Sequence, residues 1–279
     1  MPSFFKLNVK YNLGYYGHLN TRIKEVKTVN NVDILFLGSS HTYRGFDPRI
    51  FKEYGYSTFN LGSSSQTPIE TNVLLDRYLD KLNPEMVIYE VYPETFSIDG
   101  VESGLDLISN DNNDLSSLLM AFKLKNISVY NTLVFASYRQ IFNLDKDFNE
   151  KTNIGSDTYI KGGYVEHKNA YYKEESLSLL TSYPKKIQIK NFENILKTLK
   201  NKGIKVILVQ SPVTKVYYDS YSNKDAFDSL MQKHGEYYNF NELISSNDSL
   251  HFYDKDHLNQ NGVEIFNRKV LDLILNKEY

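Results

Sequence analysis

The chain has 279 residues, 41% hydrophobic and 24% charged, with a formal net charge of −2. That size suits one α/β domain with an insertion around a normal packed core. Near-neutral charge argues against a nucleic-acid groove, and the absence of cysteine excludes disulfides, thiol catalysis and thiolate metal sites.

Residues 1–31 are polar and rich in Tyr and Asn, and read as an extended arm with a short helix. They lack the apolar core of a signal peptide. No apolar run in the chain approaches the roughly 18 residues of a membrane span. The expectation is a cytosolic chain, or one whose leader or anchor has been removed. Strand one is expected at about 33–38, from the apolar run Ile34-Leu35-Phe36-Leu37. Asp47-Pro48 reads as a helix start, with Asp as cap and Pro in the first position. That helix should cover about 48–54 and stop at Gly55. Ser57 to Leu61 forms a second strand, ended by Gly62. Thr67-Pro68-Ile69-Glu70 is a capping box, and a helix with Ile69, Val73, Leu74, Tyr78 and Leu82 on one face runs to Pro84.

Met86 to Val91 is a third strand. Residues 92–184 then break the pattern, with the polar run SNDNND, a mixed apolar stretch from Leu115 to Phe142 and a Gly/Tyr-rich segment from Tyr159 to Tyr172. This is too long for a crossover, so an insertion is expected. It is read as partly helical, and either a lid or substrate wall over the carboxyl edge of the sheet or a structural wrap. Regularity returns at Lys185 with a helix stopped by Gly203, a strand over Ile204–Val209, a helix at about 223–234 and a short strand from Tyr237 to Phe240. A last helix spans about Asn261 to Asn276. Alternating strands and helices imply a mainly parallel five-stranded sheet between two helical layers in a single domain over 1–279.

Two loops carry the chemistry. Gly38-Ser39-Ser40 follows strand one, and this geometry presents a hydroxyl at the carboxyl end of a parallel strand, where open α/β sheets bind ligands. Near the other end, Asp254 precedes His257 by three residues in a loop leading into the last helix. Such a pair can turn toward one point, with the carboxylate fixing the imidazole tautomer.

With these residues in that order, the chain resembles the SGNH, or GDSL-like, hydrolases. Gly38-Ser39-Ser40 stands at the family's first block, Asn60-Leu61-Gly62 at the second and Asp254-x-x-His257 at the last, followed by Leu258-Asn259-x-x-Gly262. The resemblance covers about 33–91 and 203–275. It implies a flavodoxin-like three-layer fold, a catalytic triad of Ser40, Asp254 and His257, and an oxyanion hole from the N–H groups of Ser40 and Gly62. It implies no cofactor and no metal. The Gly-Ser-Ser form and the long insertion look most like the branch that handles O-acyl groups on cell-surface polysaccharides. That branch implies a carbohydrate acyl ester as substrate for hydrolysis or transfer, an extracytoplasmic setting and a membrane-associated acylation partner. One departure matters: the family's third block has an Asn after strand three, whereas here Tyr89-Glu90-Val91-Tyr92 stands. Loss of one such donor costs roughly 10²–10³ in rate. Ser39, Ser63, Gln66 and Tyr92 are the nearby substitutes in sequence.

Other readings stay open. Ser40 alone could be a helix-start residue, and Gly62 a simple turn glycine. His41 is read as structural or substrate-contacting, and Arg44 as a substrate-anion ligand or a salt-bridge partner. Asp256 is expected to be solvated, and Glu90, inside a buried strand, to be paired or protonated, with a structural ion pair as the first reading. Asp254, Asp256, His257, His41 and His251 could instead be metal ligands of a phosphohydrolase. The missing Asn and the 23 tyrosines, with no Trp, also fit a non-catalytic glycan-binding protein on a decayed fold, although tyrosine abundance is equally explained as amphipathic filler.

Overall fold

The computed structural model describes residues 8–168, 170–173 and 176–275. The first seven residues of the expected arm and Asn276, the expected end of the last helix, lie outside them. Within the arm, α1 (Leu19–Val26) forms the short helix. β1 (Ile34–Leu37) leads into α2 (Ser40–Gly45) and α3 (Pro48–Glu53), and β2 (Thr58–Asn60) into α4 (Pro68–Leu82). After β3 (Met86–Glu90) come α5 (Pro93–Ser97), α6 (Val101–Asn110), α7 (Leu115–Leu124) and α8 (Ile127–Ile141), then the short strands β4 (Asn153–Ile154), β5 (Asp157–Ile160) and β6 (Tyr164–His167). α9 (Lys186–Asn201) precedes β7 (Lys205–Gln210), followed by α10 (Lys215–Ser220), α11 (Lys224–His234) and β8 (Glu236–Asn239). α12 (Phe240–Leu243), α13 (Asp248–His251) and α14 (Gln260–Val270) close the chain, with a π-helical turn at Leu271–Leu275.

The main sheet has the order β2-β1-β3-β7-β8, and every pair in it is parallel. This is the flavodoxin-like order, whose switch point lies between the first and third strands. Alternation along the strands separates two cores. Leu35, Leu37, Val87, Tyr89 and Leu208 pack against apolar residues of α4 and α9. Ile34, Phe36, Ile88, Ile207 and Val209 pack on the other side with Phe46, Phe51, Phe240, Val263 and Phe266. The result is the expected α/β/α layering.

Local signals set the helix starts. Asp47 Oδ1 accepts from the Arg49 N–H at 2.9 Å, and both halves of the Thr67/Glu70 capping box form. The sequence reading missed α2, which begins directly at Ser40 rather than waiting for Asp47-Pro48. Ser39 supplies its cap.

The insertion corrects an expectation. Its helical part does not lie over the carboxyl edge. α6, α7 and α8 pack on one another and on α1 and α4, because Met120, Ala121, Leu124, Val129, Leu133 and Ala136 extend the apolar core of that layer. The antiparallel sheet β4-β5-β6 and the segment after it reach the edge, the Tyr172 N–H donating to Phe252 O at 2.9 Å. β6 packs on α2, and the Asn60 N–H donates to Gly162 O at 2.8 Å, tying the β5–β6 turn to the end of β2.

Candidate active site

Ser40 sits at the carboxyl end of β1 because the chain turns within two residues. Gly38 has φ 139°, and a Cβ there would stand 2.4 Å from Thr42 Oγ1 and 2.7 Å from Glu90 O. Only glycine passes that point, so strand and helix can join almost without a loop. Ser39 then caps α2, its Oγ accepting from the His41 N–H at 3.4 Å. Ser40 is the first helical residue, so its N–H is one of those a helix cannot satisfy internally.

His257 comes from a tight loop that the sequence closes on itself. Phe252 and Leu258 form an antiparallel bridge, and both are buried as apolar anchors. Asp254 Oδ1 accepts from the N–H groups of Asp256 at 3.0 Å and His257 at 2.7 Å, the Asx-type turn that an aspartate favours. The same carboxylate faces the ring, with Oδ2 at 2.9 Å from His257 Nδ1. Asn259 then caps α14 through the Gly262 N–H.

The two loops meet. His257 Nε2 lies 2.8 Å from Ser40 Oγ, across 217 residues of chain. A carboxylate can only accept, so Nδ1 carries a hydrogen, and in the neutral ring Nε2 is the acceptor for the serine hydroxyl. Ser40 remains half-buried and reachable. Hydroxyl, imidazole and carboxylate thus stand in line at the switch point of the sheet, in the chain order serine, aspartate, histidine.

No family model matches the chain. No curated protein matches it either. Among solved structures it is similar to a candidate acylhydrolase from Bacteroides fragilis, with a TM-score of 0.44 and 12% identity over 92% of this chain and 95% of the other. A GDSL-like lipase from Bacteroides thetaiotaomicron gives the same TM-score and identity over 92% and 96%. A gut microbial diltiazem-metabolizing enzyme is more distant, with a TM-score of 0.31 and 14% identity over 87% of this chain and 46% of the other. At these values the site is read from its own geometry.

Around the triad, rings form a column. His167 stacks on Tyr253 at 4.1 Å between centroids, Tyr253 on His257 at 5.6 Å, His257 on His41 at 4.9 Å, and His41 meets Tyr92 at 4.1 Å. Tyr253 and His167 were not singled out in the sequence; the ring stack is visible only once the inserted sheet is placed. Arg44, one helical turn beyond Ser40, forms a two-point salt bridge with Asp157 at 3.0 and 2.7 Å. His167 Nδ1 holds the same acid at 2.6 Å. Of the two readings of Arg44, the structure shows the salt bridge.

Two further expectations are corrected. Asp256 is not solvated: its side chain is 16% exposed, and Oδ1 lies 3.3 Å from His257 Nδ1. Its sequence position beside Asp254 hid this, because the loop's tight turn brings both acids to one edge of the ring. Glu90 has no ion pair among the described residues. Its Oε2 faces Ser39 Oγ at 3.2 Å, and Oε1 has no partner. Burial, opposed by the Ser39 hydrogen bonds and the charge of His257, pushes its carboxyl up to about 8.

The substitute donors are occupied. Ser63 Oγ donates to Gln66 Oε1 at 2.9 Å, and Gln66 Nε2 donates to Thr71 Oγ1 at 3.0 Å and Leu61 O at 3.3 Å. The Ser39 hydroxyl lies between Glu90 and His41 Nδ1, the latter at 3.2 Å. Tyr92 OH meets Tyr217 OH at 3.0 Å and Asp256 Oδ2 at 3.3 Å. By contrast, neither the Ser40 N–H nor the Gly62 N–H is engaged among the described residues. Gly62 is pressed against the nucleophile loop, since a Cβ on it would stand 2.7 Å from Ser39 O and 2.9 Å from Gly38 O. Sequence reading also missed Arg22 of α1. Fully buried, it donates to the carbonyls of Gly62 at 3.1 Å, Gly163 at 2.8 Å and Gly17 at 2.9 Å, pinning the Gly62 turn to the arm and the inserted sheet.

Asp254, Asp256 and His257 place one ligand atom each within 4.8 Å of one another. As a metal centre the set fits poorly, because Nδ1 already points its hydrogen at Asp254, Asp256 stands beside it, and Nε2 faces Ser40. His41 is buried in the ring column, and His251 Nδ1 accepts from the Asn247 N–H at 2.9 Å. Burial lowers the charge tendency of His257, but the hydrogen bonds and charges of Asp254 and Asp256 outweigh it and raise the ring to about 10. His41 goes the other way, to about 4, through burial and then the charge of His257.

Proposed function

We propose that the chain is a serine ester hydrolase of the SGNH type, acting on acyl esters, with acetyl the preferred group, carried by a carbohydrate or polysaccharide. The observation that carries this reading is the 2.8 Å contact between Ser40 Oγ and His257 Nε2 with Asp254 behind the ring. In it, neutral His257 takes the Ser40 proton as Oγ attacks the ester carbonyl. The tetrahedral oxyanion is received by the N–H groups of Ser40 and Gly62. Asp254 stabilises the imidazolium, which then protonates the leaving alcohol. Water resolves the acyl-enzyme in hydrolysis, and a sugar hydroxyl resolves it in O-acyl transfer.

The carbohydrate part of the reading rests on the motif resemblance. It would place the chain outside the cytoplasm beside a membrane-associated acylation partner. With the third oxyanion donor missing, turnover on simple esters should be roughly 10²–10³ below that of an enzyme with a full hole. Hydrolysis of p-nitrophenyl acetate by the wild type and Ser40→Ala tests the proposal. Loss of turnover in the variant is expected, and unchanged turnover overturns the reading.

A further inference from the structure

We propose that Asp256 is a second positioning residue for His257, sharing with Asp254 the Nδ1 edge of the ring. This rests on the esterase reading above and adds a group that the triad does not require.

The geometry has three parts. Asp254 Oδ2 takes the shorter contact to Nδ1, at 2.9 Å, and Asp256 Oδ1 stands at 3.3 Å on the same nitrogen. The second oxygen of Asp256 is held from the other side, 3.3 Å from Tyr92 OH. That hydroxyl also meets Tyr217 OH at 3.0 Å, and Tyr217 in turn donates to Glu94 Oε1 at 2.6 Å. Tyr92 has one proton to share between Tyr217 and Asp256. Asp256 is therefore anchored to the segment after β3, while among the described residues Asp254 is anchored to its own loop through the N–H groups of residues 256 and 257. Tyr92 stands near where the resembled family carries its third oxyanion donor; here its hydroxyl reaches the base's second acid instead.

The consequence is redundancy. One N–H cannot serve two acids equally, but a developing imidazolium charge interacts with both. If Asp254 loses its charge, Nδ1–H still has an acceptor, and the tautomer that leaves Nε2 facing Ser40 is kept. Burial would raise the Asp256 carboxyl, but its bond to His257 and the ring's charge hold it below the usual carboxylate range. The other polar or titratable groups around His257 are Ser40, His41 and Tyr43 from α2, Glu90 and Tyr92 from the end of β3, Tyr253 from its own loop, and His167 with Asp157 and Arg44 beyond the Tyr253 ring. Among them Asp254 and Asp256 are the acids in contact with Nδ1.

The test compares Asp254→Asn, Asp256→Asn, Tyr92→Phe and the double Asp254→Asn/Asp256→Asn. It reads the pH profile of kcat/KM on p-nitrophenyl acetate and the His257 ring titration by NMR in a Ser40→Ala background. Asp256→Asn should move the ring midpoint and the acid limb down by about one unit or more. Tyr92→Phe should move both the same way by less, and Asp256→Glu should restore them. Asp254→Asn alone should keep at least about tenfold more activity than the double variant, whose loss should approach ~10⁴, the size seen when a triad's sole acid is removed. An unmoved midpoint in Asp256→Asn, or an Asp254→Asn variant already as inactive as the double, overturns the proposal. Full esterase activity in Ser40→Ala would instead defeat the function reading, while the NMR midpoints would still report on Asp256.

Discussion

Two small regions flank the Ser39–Ser40 bend and treat similar groups in opposite ways. Behind it, Glu90, Ser39 and His41 are buried and, among the described residues, make no ion pair. Oε1 of Glu90 and Nε2 of His41 are unpartnered, and burial holds both groups neutral near pH 7, one pushed up to about 8 and the other down to about 4. In front of it, His257 is nearly as enclosed, with its side chain 17% exposed, yet two acids raise it to about 10. The two imidazoles stack 4.9 Å apart. Burial alone does not decide a ring's charge; what touches its nitrogens does. A neutral imidazole packed on one face of the base supports it without competing for the serine proton.

The strongest way to break this contrast is to exchange the two rings' fates. His257→Ala should lower ester turnover by about 10⁴–10⁶, as loss of a catalytic histidine does. His41→Asn should lower it by roughly tenfold or less, since in this account His41 only packs. Equal losses, measured as kcat/KM on p-nitrophenyl acetate, would remove the distinction. Next in size, Gly62→Ala forces a Cβ against two backbone carbonyls of the nucleophile loop. Its expected cost is about 10²–10³, mostly in kcat, because the oxyanion donor is displaced.

The pH dependence sharpens the same comparison. A base must be neutral to act, and His257 loses its proton only as pH rises toward about 10, so the rate should climb through neutral pH into the alkaline range. Stability should move the other way. The folded-state value of His257 lies above the ordinary imidazole value of ~6.5. Its contribution is complete below ~6.5 and is lost as pH rises through about 10. Glu90 adds an effect of the same sign. Its neutral form contributes below the ordinary value of ~4.3, and that contribution fades as pH rises through about 8. Glu90→Gln should therefore lose less Tm than the wild type between pH 6 and pH 9 in calorimetry.

The three central strands of the main sheet, β1, β3 and β7, were legible because each carries a short apolar run, and Thr67/Glu70 and Asp47-Pro48 are strong local signals. The Ser40, Asp254 and His257 motifs were legible as spacing, although their meeting across 217 residues is a tertiary fact. What stayed hidden has a common cause. Arg22 lies in a polar arm with no period, and its value comes from three carbonyls brought by distant segments. Asp256 looked like one more acid in a charged loop, since nothing in Asp-Lys-Asp-His says which acids turn inward. The insertion's helices leave a cover over the edge and a structural wrap equally open in the sequence, because their apolar residues carry no label for the layer they join. α2 was missed because its six residues hold too little pattern to show a period.

Fluorophosphonate labelling followed by peptide mass spectrometry tests the central claim most directly. The account predicts one adduct, on the hydroxyl of Ser40, formed in the wild type and at least about a thousandfold more slowly in His257→Ala. No adduct, an adduct on another residue, or an equal rate in His257→Ala would contradict it.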